Sequence, residues 1–158
     1  MRTALAGVVG SLSLFLPAVA AAANAPLMAP VHQFIDSFNK GDVKAAEAAH
    51  KPSVAIIDEM APHIWTGPGA FKAWAAALMA DAKKRGDTDQ SVTVSDPVRE
   101  EMTGDRAYLV VPAVYAFKEK GAAMKEEGQM TFALQKGAAG WKIAGWTWTG
   151  PKAAAPGR

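Results

Sequence analysis

The 158-residue chain contains no cysteine, which excludes a disulfide framework and any zinc site built on thiolates. It is also short of net charge. Seventeen lysines and arginines nearly offset fifteen aspartates and glutamates, leaving a formal +2. No field strong enough to gather nucleic acid or an acidic membrane surrounds such a chain. The three histidines, His32, His50 and His63, lack the helical or hairpin spacing of metal ligands, so neither a metal nor a cofactor is predicted. Internal repeats and interdomain linkers are missing too.

Charge is absent altogether from Thr3 to Ala23. Arg2 precedes this stretch, LAGVVGSLSLFLPAVA forms its apolar heart, and small residues follow. That order describes a secretory signal peptide over residues 1–23, with cleavage near Ala23. An uncleaved anchor is the alternative, since about twenty apolar residues can span a bilayer; Pro17 and the alanine-rich end argue against it. The expectation is a periplasmic or secreted protein, with no stable membrane insertion after cleavage. Without disulfides, its core alone must hold it. A 50% hydrophobic content and five tryptophans make that feasible.

Val31, Phe34, Ile35 and Phe38 stand at i, i+3, i+4 and i+7, the buried stripe of a helix. Asn39-Lys40-Gly41 ends it, and Asp42 can cap a second helix, VKAAEAAHK, that stops at Pro52. Ser53–Ile57 reads as a strand. HIWTGPG reads as a loop, and Ala70–Arg85 as a helix closed by Gly86. Four strands then follow: Ser91–Met102, Arg106–Lys118, Ala122–Lys136 and Trp141–Thr149. Their short turns imply an antiparallel sheet. Pro112 predicts a bulge or an edge in the second of these strands. The tail, residues 151–158, is expected to be disordered.

Helix, helix, strand, helix and four strands make an α+β domain over residues 27–150. The stretches FIDSFNKGD, VAIIDEM, IWTGPGAFKAW and GWKIAGWTW, in that order, closely resemble the nuclear-transport-factor-2-like superfamily, which includes SnoaL-like and ketosteroid-isomerase-like proteins. The resemblance implies a cystatin-like cone, a strongly bent antiparallel sheet wrapped around N-terminal helices and enclosing an apolar cavity. The implied cavity wall comprises Phe34, Phe38, Trp65, Tyr115, Met130, Trp146 and Trp148.

Asp58 follows the Asp42 of the GD junction by sixteen residues, the position of the catalytic aspartate in the ketosteroid isomerases that this chain resembles. A carboxylate at the rim of an apolar cavity loses solvation and can shuttle protons near neutrality. The plainer reading is a strand-end carboxylate beside Glu59. Alternation places Val54, Ile56 and Asp58 on one face and leaves Ile57 and Glu59 facing water. His63, five residues on across Pro62, could serve as a second proton shuttle or simply face solvent. The family's oxyanion hole is missing. Phe34 stands where its tyrosine would be, and Met130 where its second acid would be. Each such donor is typically worth about 2.7–4 kcal/mol of barrier, so steroid isomerisation by that mechanism is not expected.

His32 pairs at helical spacing with Asp36, and His50 reads as a favourable charge at a helix C-terminus. Trp141 and Ile143 are expected on one face of the last strand, with Trp146 and Trp148 on the other. Trp65 would close the narrow end of the cone, and Trp74 sits at helical spacing with Phe71 and Leu78. Tyr115 lies in a strand apolar on both faces, where its hydroxyl needs a partner. Either Glu126 or Glu127 must share a face with Met124, Met130 and Phe132 unless Gly128 bulges; the expectation is a bulge, with both carboxylates solvated. Three functions remain open on this reading. One is a binder of a hydrophobic or aromatic small molecule. Another is a lyase or isomerase with Asp58 as general base, assisted by His63 or Tyr115. The third is an interaction module, a homodimer formed through the outer sheet face.

Overall fold

The computed structural model describes residues 25–157; the expected signal peptide lies outside them. Helix α1 (Ala25–Asn39) buries Leu27, Val31, Phe34 and Ile35, the expected stripe. Helix α2 (Val43–Ala48) is capped by Asp42, whose side chain accepts a hydrogen bond from the Ala45 N–H at 2.9 Å. It ends earlier than expected, because His50 already belongs to strand β1 (His50–Ile57). Pro52 is tolerated there because the register with the last strand shifts between His50 and Ala55, so its missing N–H interrupts no ladder.

The segment expected as a loop contains a further strand, β2 (Ile64–Pro68), which pairs antiparallel with β1 through Trp65 and Ile56. Helix α3 (Ala70–Arg85) follows and closes at Gly86 in the left-handed conformation. The expected strand 91–102 is two: β3 (Asp87–Val94) and β4 (Arg99–Thr103). Both pair with β5 (Arg106–Glu119) on the same side, and the chain between them crosses over Pro112. The Pro112 carbonyl accepts from Ser95 N at 3.0 Å, so its absent N–H faces this gap. On the other side Pro112 stays in register with Gln129, without a bulge.

Strands β6 (Ala122–Gly137) and β7 (Gly140–Thr149) complete a seven-stranded sheet ordered β2-β1-β7-β6-β5-β3, with β4 beside β5. It is antiparallel except where β1 runs parallel to β7. The sheet curls without closing, and α1 and α3 pack on its concave side. The core gathers there around Phe34, Ile56, Leu109, Phe132, Leu134 and Ile143. Trp65 is buried in this core.

One irregularity redirects the last strand. Ala133 pairs with Gly145 but Leu134 pairs with Ile143, which leaves Ala144 as an extra residue. The bulge brings Ile143 and Trp146 to the same concave side, where strict alternation would have separated them. After β7 the Ala154 N–H and carbonyl both bond Lys125, each at 2.9 Å.

Candidate functional site

A cavity of about 470 Å³ opens between the concave sheet face and the helices. Phe34 and Phe38 reach it from α1, and Trp74 and Leu78 from α3. Tyr115 on β5, Met124, Glu126 and Met130 on β6, and Trp146 and Trp148 on β7 form the sheet wall. Aromatic contacts stiffen it. The Trp146 ring lies 4.9 Å from Trp74 and 5.5 Å from Phe34, and Tyr115 stacks on Phe117 at 4.8 Å. Such pairs add about 0.5–1.5 kcal/mol each beyond area burial.

Of the residues expected at the pocket, Phe34, Phe38, Tyr115, Met130, Trp146, Trp148 and Asp58 line this cavity, whereas Trp65 and His63 do not. Trp65 is spent on the β1–β2 pair instead. His63 occupies a left-handed backbone conformation, and its ring is exposed. Among the described residues its imidazole bonds only the Asp58 carbonyl, at 3.4 Å, and leaves the Asp58 carboxylate untouched.

Asp58 stands where β1 ends, on the face of Val54 and Ile56, while Ile57 points outward and is 52% exposed. Both carboxylate oxygens accept N–H bonds: Oδ1 from Met60 N at 3.0 Å, and Oδ2 from Trp74 Nε1 at 2.9 Å. These bonds fix its orientation at the cavity rim and leave further lone pairs free. Glu59 is exposed, as alternation predicts, yet it stays at the cavity mouth. Strand geometry has lapsed by then, and Glu59 also lines the cavity.

Glu126 lies inside the cavity and not in solvent, where a bulge at Gly128 would have put it. It is 2% exposed, lines the cavity, and accepts a hydrogen bond from Trp148 Nε1. No bulge intervenes, because Ala113, Val114 and Tyr115 face Gly128, Glu127 and Glu126 in unbroken register. Gly128 serves a different purpose: a Cβ there would lie 2.7 Å from the Thr149 carbonyl oxygen and 3.0 Å from Trp148 Cζ2. The strict alternation Met124, Glu126, Gly128, Met130, Phe132 was the signal that could have found this residue. Desolvation raises the Glu126 pKa from the ordinary 4.5 to about 7. The Trp148 bond opposes the shift, while the neighbouring Glu59 and Asp58 carboxylates add to it.

Tyr115 finds its partner on β3, donating to Gln90 Oε1 at 2.7 Å. Burial, reinforced by Asp87, pushes its phenol further above the ordinary value, so it is a fixed neutral ring. His50 is not a helix-end charge. Its Nδ1 donates to the Ala46 carbonyl at 2.9 Å, and the ring lies against Phe34 and Phe71. Desolvation lowers its pKa to about 4, so it is neutral core. Among the described residues no group of three or more His, Asp or Glu side chains could hold a metal ion.

Known proteins of similar shape share this architecture at low identity. A ketosteroid isomerase-like protein from Erwinia carotovora atroseptica superposes with a TM-score of 0.62 at 18% identity, covering 81% of this chain and 95% of that one. The hub domain of CaMKII from S. rosetta gives 0.64 at 21%, over 80% and 95% of the two chains. A nuclear transport factor 2-like protein from Salmonella enterica gives 0.64 at 14%, over 82% and 91%. At these identities the likeness extends to the fold alone. No curated protein matches the sequence. The profile of the SnoaL-like domain matches residues 27–147, nearly the whole folded unit. The chain therefore belongs to the SnoaL-like family.

Proposed function

We propose that the cavity binds a hydrophobic or aromatic small molecule, with Asp58 and Glu126 as its polar contacts. The observation that carries this reading is a space of about 470 Å³, walled by aromatic side chains, into which two oriented carboxyls converge. Ligand sites typically occupy roughly 300–1,000 Å³ and combine apolar walls with a few placed polar groups. Native mass spectrometry of protein purified from its source is the direct test. A retained small molecule that is lost on denaturation supports the reading. An empty cavity that also refuses hydrophobic fluorescent probes ends it.

A lyase or isomerase with Asp58 as general base is the second reading, favoured by the cavity carboxyl at Glu126, whose pKa of about 7 suits proton delivery near neutrality. Binding that survives Asp58→Asn while turnover of the retained molecule disappears would establish the enzyme. A wild-type protein that binds the molecule and never converts it would exclude it.

Tyr108, Val110, Val114 and Ala116 leave the outer face of β5 partly uncovered, which suits a homodimer through that face; a monodisperse monomer in sedimentation at micromolar concentration would count against it. Export with cleavage near Ala23, to the periplasm or beyond, rests on the pattern of residues 1–23. A mature protein that still carries Met1 would defeat it.

A further inference from the structure

We infer that the ligand of this cavity is a cationic amphiphile, an aromatic or alicyclic amine whose ammonium group sits against Glu126 between the rings of Tyr115 and Trp148. This inference rests on the cavity being a binding site, as proposed above, and adds the charge of the molecule.

The geometry is that of a carboxylate set into an aromatic corner. Glu126 lies directly opposite Tyr115 in the β5–β6 register and is held from the β7 side by Trp148. The Tyr115 and Trp148 rings meet near a right angle, 75°, with centroids 6.5 Å apart. Ring faces attract cations, worth about 2 kcal/mol or more when the cation is desolvated. The Tyr115 hydroxyl is already engaged by Gln90, so the ring offers its π-face rather than a donor.

The surrounding charge has the same sign. Asp58 and Glu59 face Glu126 from the loop after β1, and Asp81 and Glu119 stand at the rim. Against these carboxylates stand two bases. Arg85 on α3 is already held by Asp81 at 3.3 Å and Asp87 at 2.7 Å, and Lys152 lies on the exposed tail. An anionic ligand would enter a space where carboxylates outnumber bases five to two, whereas a cation would relieve their mutual repulsion.

The test uses three probes that share one ring system: 1-naphthylmethylamine, 1-naphthalenemethanol and 1-naphthoate. Binding is followed by tryptophan fluorescence and calorimetry on the mature protein. The amine is expected to bind at least roughly tenfold more tightly than the alcohol, with the carboxylate weakest. Because the amine requires ionised Glu126, its apparent affinity should strengthen by roughly tenfold from pH 6 to pH 8, following the fraction of competent protein. Glu126→Gln should collapse the preference for amine over alcohol. Should that variant fail to fold, the wild-type pH series decides alone.

An alcohol or carboxylate that binds as tightly as the amine overturns the cation assignment and leaves the binding cavity intact. An amine preference that is flat with pH, or that survives in folded Glu126→Gln, removes Glu126 from the recognition. If none of the three binds at millimolar concentration, the cavity is no binding site and both proposals fall.

Discussion

Trp148 on β7 donates its indole N–H to Glu126 on β6, and the approach is possible because residue 128 has no side chain. The bond orients a carboxyl that burial would otherwise expel or neutralise. It also ties the cavity wall to a carboxyl whose acidity burial displaces. Its energetic consequences are measurable.

Glu126 binds its proton more tightly in the folded protein than in the unfolded chain, at about 7 against 4.5. The folded state therefore holds the extra proton between these values, and the stability that Glu126 contributes is lost as pH rises through 7. Glu126→Gln keeps an acceptor for Trp148 and cannot ionise. Urea unfolding should find the variant more stable than wild type at pH 8, by on the order of 1–3 kcal/mol, with the difference shrinking toward pH 4.5. Parallel stability curves across this range would disprove the displaced acid.

His50 acts with the opposite sign. Its folded pKa of about 4 lies below the ordinary 6.5, so the unfolded chain binds the extra proton between those values. Its contribution is present above 6.5 and is lost as pH falls toward 4. The Glu126 slope masks part of this in wild type. In Glu126→Gln, thermal unfolding should show a steeper acid loss than in the parent, and a His50→Met, Glu126→Gln double variant should flatten it.

Gly128→Ala forces a Cβ within 2.7 Å of the Thr149 carbonyl oxygen, a backbone atom that cannot swing aside. The expected cost is roughly 1–3 kcal/mol in chemical unfolding, as for other overpacked sites. Trp148 must shift with it, so the amine probe should also bind more weakly. An alanine variant as stable as wild type would mean that β6 and β7 separate more freely than their register suggests.

Trp74→Phe removes the N–H that Asp58 Oδ2 accepts at 2.9 Å while retaining most of the ring packing against Trp146. Half-burying a carboxylate oxygen without its donor should cost about 1–3 kcal/mol. Restoration of stability on adding Asp58→Asn would identify the lost bond as the cause. A double variant no better than the single would assign the cost to packing instead.

Much of the fold was legible because its signals are local. The 3.6-residue stripe of α1, the Asp42 cap, Gly86 and the alternation in β5 depend on neighbours a few residues away. The same holds for Asp58, whose side is decided by parity with Val54 and Ile56. β2 escaped because five residues containing glycine and proline earn strand geometry only by pairing with β1. The break between β3 and β4, residues 95–98, likewise depends on Pro112, fourteen to seventeen residues further on in β5.

Glu126 shows where sequence alone stops. Its parity with Met124 and Met130 was plain, yet a buried carboxylate is costly enough that a bulge at Gly128 was the easier reading. Only the arrival of Trp148 from the neighbouring strand supplies the donor that makes burial tolerable, and only the bulge at Ala144 puts Ile143 and Trp146 on one side. The family is legible in the motifs that match the SnoaL-like profile, while the order of the helices and most strands and the aromatic character of the concave face follow from short-range periodicity and composition. Which carboxyl lies inside was decided by tertiary structure, because the cost of burying a charge depends on partners that strand pairing brings from twenty-two residues away.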